Sequence, residues 1–162
     1  METAPDRPMR RREREIPDRA GVEEVLRNAK TLFLGLHDGD VPYLVPVSFG
    51  YEDGAIWVHS AAVGTKIDLL QKDPRLGFAA EWDTRIVAGG AACDWSVQSR
   101  SVTGAGIATI VEDEAARRRG MDAVMRHYGS VAPEYKPETL SRTLIIRIDV
   151  TRMRGKRIGA GT

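Results

Sequence analysis

Cysteine is almost missing from this 162-residue chain, which has Cys93 and no other. An internal disulfide is impossible, so a small disulfide-stapled scaffold is excluded. No His or acidic pattern is arranged beside Cys93, which reads as a plain or redox-sensitive free thiol rather than a nucleophile. Long apolar runs are missing too, and nothing approaches the roughly 18 residues a membrane span requires. The opening METAPDRPMRRRERE has no apolar segment of the secretory kind, so a cytoplasmic location is expected. Nor does either sign of charge dominate: 24 Lys and Arg against 23 Asp and Glu leave a net charge of +1. That balance gives no general drive toward nucleic acid or an anionic membrane. No metal-ligand set is read.

What is present is an ordinary globular composition, 42% hydrophobic and 29% charged, in a length that suits one core. The basic residues Arg10, Arg11, Arg12 and Arg14 are diluted by Glu13 and Glu15, and no aromatic residue interleaves them to stack on bases. Residues 1–15 are therefore expected to form a flexible, solvated or partner-contacting arm, and residues 16–162 a single domain.

The organising stretch is Val41 to Lys66, VPYLVPVSFGYEDGAIWVHSAAVGTK. β-Branched and aromatic residues fill Val41 to Tyr51, while Pro42 and Pro46 exclude a helix and suggest an edge or bulged strand. Asp53-Gly54 suits a hairpin turn, returning through Ala55 to His59. Ser60 to Lys66 then leads into a helical turn, Ile67 to Leu70, that stops before Asp73-Pro74. A helix starting near Gly64 or Thr65 turns free N–H groups and its positive end toward the last strand, where Lys66, Ser60 and Thr65 add a charge and two hydroxyls. Such a corner suits a phosphate; on spacing alone, the plainer reading is that Thr65 caps a surface helix and Lys66 is solvated.

Around it, Asp18 caps a helix with Val22, Val25, Leu26 and Ala29 on one face, and Thr31 to Leu36 forms a buried strand closed by a His37 to Asp40 turn. Arg75 to Trp82 reads as a strand, and residues 83–94 as a mobile loop. Val97 to Val111 is a long strand interrupted by Gly104-Ala105-Gly106. The third glycine of a dinucleotide fingerprint is absent, with Thr109 in its place, so these glycines mark a bulge or bend. A helix follows from Glu112 to a Gly129 cap, its Met121, Val124, Met125 and Tyr128 forming a packing stripe and His127 lying in the last turn. Ser130 to Arg142 reads as a loop or short helical turn. Leu144, Ile146, Ile148 and Val150 share one face of a closing strand, and the basic tail RMRGKRIGAGT either frays or lies along a subunit neighbour. Five or six strands, several in hairpins, with peripheral helices, exclude a repeating βαβ fold and predict a mainly β (α+β) antiparallel barrel.

The series PYLVPVSFGY, IWVHSA, Gly-x-Lys and Asp-Pro resembles the pyridoxamine 5′-phosphate oxidase-like, FMN-binding split-barrel superfamily, most closely its nitroimidazole-resistance (Nim) branch. The match is close from Arg10 to Leu76 and looser through Cys93-Asp94-Trp95 and Tyr128 to the end. It implies a split β-barrel and a homodimer with the flavin in clefts at the subunit interface. By the same resemblance Val45, Pro46, Val47 and Ser48 would line the isoalloxazine edge, His59, Ser60 and Ala61 would flank the ring and ribityl chain, and Gly64, Thr65 and Lys66 would hold the phosphate. Trp95, Arg100 and Ser101 lie where a partner subunit would complete the site. The Arg- and Lys-rich cofactor strand of true pyridoxamine phosphate oxidation is replaced by Val45-Pro46-Val47-Ser48, which leaves fewer cations for a phosphorylated substrate.

The resemblance implies an FMN-dependent oxidoreductase passing two electrons to a small acceptor such as a nitroaromatic. His59 is its proton donor, or a residue that packs on the flavin or orients the substrate. A non-catalytic flavin- or haem-binding module of the same fold is the alternative, and a deazaflavin in place of FMN is a third.

Overall fold

The computed structural model describes residues 8–131 and 134–159. Its elements run β1 (Glu15–Ile16), α1 (Arg19–Asn28), β2 (Leu32–Asp38), β3 (Val41–Val47), β4 (Phe49–Glu52), β5 (Ala55–Ala61), α2 (Thr65–Lys72), β6 (Arg75–Val87), β7 (Ser96–Val111), α3 (Glu114–His127), α4 (Pro137–Arg142) and β8 (Thr143–Ile158), with 3-10 turns at Arg12–Arg14 and Ala92–Asp94. All the strands join one antiparallel sheet ordered β3-β2-β6-β7-β8-β5-β4, with β1 added beside β8. Strands β3 and β4 end the sheet on opposite sides, yet only Ser48 separates them in sequence. The chain thus ties the two edges together without pairing them, which makes the curled sheet a split barrel.

This corrects the expected single strand from Val41 to Tyr51. Val41 to Val47 pairs with β2, and only Phe49 to Glu52 forms the hairpin with β5. The prolines account for the edge position of β3. Pro42 and Pro46 lie on β3, which has a neighbour on one side only and can spare their missing N–H groups. The β4–β5 turn is carried by Asp53 at φ 51° and Gly54 at φ 76°, the positive pair a tight hairpin demands.

The expected caps are present. Asp18 accepts from the Gly21 N–H at 2.7 Å, and Val22, Val25, Leu26 and Ala29 are buried. Helix α3 starts with Asp113, which accepts from the Ala116 N–H, and ends with Gly129 at φ 96°; there the Ser130 N–H donates to the Met125 carbonyl and the Gly129 N–H to that of Arg126. This double bond pattern is a Schellman stop. Within the expected stripe Met121 and Val124 are buried and Tyr128 is exposed, its hydroxyl donating to the Lys30 carbonyl at 2.8 Å. Helix α3 packs on β4 and β5, where an added Cβ at Gly50 would stand 2.7 Å from the Val124 backbone nitrogen. The expected His37 turn is two residues shorter: His37 and Asp38 still pair with Pro42 and Val41, leaving Gly39 and Asp40 to reverse the chain.

The glycines of β7 sit at a register shift, as expected of a bulge. The extra residue, however, is Thr151 on β8, whose hydroxyl donates to the Ala105 carbonyl at 3.0 Å. Before it Ile146, Ile148 and Val150 face the core; after it the inward residues are Met153 and Gly155. The tail Arg152 to Ile158 therefore continues β8, paired with β7 and, at Gly155 and Lys156, with β1. Residues 160–162 lie outside the described part. The expected loop at 83–94 is also reduced. Strand β6 bends at a bulge between Trp82 and Arg85, with Asp83 at φ 56°, and pairs on to Val87, leaving 88–95 as the hairpin tip. No helix in the described residues is long and apolar enough to cross a membrane.

Candidate functional site

The β3–β4 passage through Ser48 runs beside the end of β5 and the start of α2, and these three segments enclose an open cleft of about 440 Å³. Its lining includes Val45, Pro46, Val47 and Ser48 from the crossing, His59, Ser60 and Ala61 from β5, and Gly64, Thr65 and Lys66 from the helix start. The structure thus brings all of these sequence-identified residues to one cavity, of a size usual for small-molecule sites. Tyr43, Val63 and Ile67 line it as well. Sequence reasoning passed over them, although the period-two alternation that places Val45 and Val47 on the cleft side also places Tyr43 there.

The helix corner is open to an anion. Gly64 stands at φ 132° as the residue preceding α2, and no side chain caps the helix. The Ile67 and Asp68 amides donate to the Gly64 carbonyl at 2.8 and 3.2 Å; those of Thr65 and Lys66 precede them and have no intrahelical acceptor. Nothing lies within 4 Å of where a Gly64 Cβ would sit. Thr65 therefore does not act as the cap that a plain surface helix would use.

The cleft's electrostatics are one-sided. No Asp or Glu lines it, and among the described residues no carboxylate pairs with Lys66. Partial burial pushes the Lys66 ammonium below its usual pKa. His59 is also pushed down, by burial first and then by the Lys66 charge beside it, so its imidazole is neutral at pH 7. An unpaired cation, two amides without an intrahelical acceptor and several hydroxyls make this end of the cleft rich in donors and free of carboxylates.

Trp95, Arg100 and Ser101 stand outside this cleft. Trp95 is exposed at the β6–β7 hairpin tip, and Ser101 pairs across the sheet with Glu81 and Lys156. The Arg100 guanidinium meets Glu24 of α1 at 3.1 Å and stacks over the Trp82 ring. Cys93 is exposed, its sulfur 3.7 Å from an Asp94 carboxylate oxygen. No three His, Cys, Asp or Glu side chains converge among the described residues.

Fold and cleft together define a split-barrel protein with a donor-lined cleft at the β3–β4 crossing. The chain belongs to the pyridoxamine 5′-phosphate oxidase family, whose model matches residues 18–157. Among solved structures it is similar to a candidate 5-nitroimidazole antibiotic resistance protein from Bacteroides thetaiotaomicron, at 28% identity over 88% of this chain and 86% of that one, with a TM-score of 0.79. The flavocytochrome Anf3 from Azotobacter vinelandii matches at 16% identity over 94% and 73%, TM-score 0.78. A FAD- and haem-binding protein from Mycobacterium smegmatis matches at 16% over 91% and 74%, TM-score 0.79. These last two speak to the fold alone. A comparison with curated proteins finds no match.

Proposed function

We propose that this protein is a cytoplasmic FMN-binding oxidoreductase that passes two electrons to a small acceptor such as a nitroaromatic. The observation that carries the reading is the convergence of the Val45 to Ser48 crossing, the His59 to Ala61 strand end and the Gly64 to Lys66 helix start on one cleft. The residues fit the mononucleotide: the unpaired Lys66 ammonium and the free Thr65 and Lys66 amides suit its phosphate. The Val45 to Ser48 wall offers backbone groups and a hydroxyl to the ring edge. When bound, FMN supplies the two-electron chemistry, drawing on an external reductant.

The chain's own residues supply position and protons. His59 is the one histidine lining the cleft; His127 is committed to the Ala29 carbonyl, and His37 pairs at the far end of β2. Its place on the cleft wall lets its protonated form, favoured as pH falls, deliver a proton to the acceptor. The resemblance to the Bacteroides protein, described as a nitroimidazole resistance protein, supports the choice of acceptor. A homodimer belongs to this reading, with Trp95, Arg100 and Ser101 of each copy reaching toward the cleft of the other.

The test is the visible absorption of the purified protein before and after denaturation and filtration. Flavin bands passing into the filtrate support the reading. A colourless protein that also fails to take up added FMN overturns it. The Anf3 and M. smegmatis structures are described as a flavocytochrome and a FAD- and haem-binding protein, so a haem Soret band would move the assignment to a haem-binding module with His59 as the candidate axial ligand.

A further inference from the structure

The tyrosines divide into two kinds. Tyr51 donates its hydroxyl to Glu23 at 3.0 Å, Tyr128 to the Lys30 carbonyl at 2.8 Å, and Tyr135 to Asp122 at 2.9 Å. Tyr43 is the fourth, and among the described residues its hydroxyl has no protein partner. It is also the one tyrosine that lines the cleft, with its ring half-buried against the core. A phenol whose ring is held by packing normally places its polar end against an acceptor.

The cleft offers no carboxylate for it. The ionic group facing the same space is Lys66, which lacks a counter-charge of its own. A ligand that neutralises Lys66 must bring anionic oxygens, and these are the strongest acceptors a phenol can meet.

Building on the FMN reading, we propose that Tyr43 is a ligand-binding residue whose hydroxyl completes, with Lys66 and the α2 amides, the donor set for the anionic phosphate end. The ring is packed against the core and its strand position is paired with Leu36 of β2, so its donor is in place before the ligand arrives.

The experiment compares wild type with Tyr43→Phe, which keeps the ring and removes only the hydroxyl, titrating each with FMN and with riboflavin. FMN affinity is expected to fall about tenfold or more, as for a hydrogen bond to a charged group. Riboflavin affinity and the melting temperature of the ligand-free protein stay unchanged. Tyr51→Phe is the contrasting control, because it loses the Glu23 bond, lowers the melting temperature and leaves FMN affinity intact. Equal loss of FMN and riboflavin affinity, or no loss of either, overturns the inference while the FMN reading stands. If the wild type binds no FMN, the function reading fails instead, and inorganic phosphate titrated into both proteins decides the point: a weaker response in Tyr43→Phe upholds the inference, and an equal or absent one ends it.

Discussion

His127 and Ala29, 98 positions apart in the chain, meet through a single hydrogen bond: the ring Nε2 stands 2.7 Å from the Ala29 carbonyl oxygen. A carbonyl only accepts, so Nε2 carries the hydrogen. The bond closes the end of α3 onto the end of α1, with the Phe49 ring 4.5 Å from the imidazole. Sequence reasoning placed His127 in a helix end that tolerates positive charge; burial lowers its pKa instead.

That lowering fixes the sign of a stability change. Near pH 6 the unfolded chain takes up a proton that the folded His127 resists, so the contribution is complete above about pH 6.5 and is lost as pH falls below it. His59, also lowered, adds to the same slope. His127→Gln keeps a donor and removes the titration. Urea midpoints between pH 5.5 and 8 should fall less steeply toward acid than in wild type, and an unchanged slope would remove His127 from the account.

Lys66→Ala should weaken FMN binding by about ten- to a hundredfold, the range of a hydrogen bond to a charged group, and leave riboflavin binding nearly unchanged. Fluorescence titration of both flavins measures it. Equal losses would place Lys66 away from the phosphate.

For His59→Ala the expected split is kinetic. Turnover of a nitro acceptor falls about a hundredfold or more while FMN affinity changes far less. Because the wild-type imidazole is held below its usual pKa, the rate attributed to it should rise as pH falls and level off once the ring is protonated. The variant should be flat over the same interval. Lys66→Ala should raise the pKa of His59, since the Lys66 charge is one of the two causes that lower it; the imidazole proton resonances followed against pH report this directly.

Gly50→Ala tests packing rather than chemistry. The new methyl would overlap the Ala123 carbonyl and stand 2.7 Å from the Val124 nitrogen, both backbone atoms of α3 that cannot rotate aside. A loss of about 3 kcal/mol is expected from overpacking at this contact, measured by chemical denaturation. A wild-type midpoint would mean that α3 shifts freely.

Much of this arrangement was legible in the chain. Asp18 and Gly129 mark helix ends through their own chemistry, and Pro42 and Pro46 announce an edge strand because each lacks a donor. The cleft residues could be grouped because Ser48, His59 and Lys66 fall at a strand break, a strand end and a helix start. What escaped depends on bulges. Thr151 shifts β8 by one residue, so Arg152, Arg154 and Lys156 face outward while Gly155 packs against Ile16 and Val22. Local alternation there reads as a polar tail. The bulge after Trp82 hides the rest of β6 in the same way. That β3 and β4 occupy opposite ends of the sheet is likewise a property of long-range pairing, which no local pattern encodes.

Ser48 joins two strands that share no hydrogen-bonded ladder, and the cleft walls are drawn from β3 at one edge of the sheet and from β5, next to the other edge. Widening or narrowing the curl is therefore the same motion as opening or closing the cleft. A ligand gripping both walls acts as a clasp on the whole barrel, slowing amide exchange in β3 and β5 in concert although neither strand touches the other's ladder.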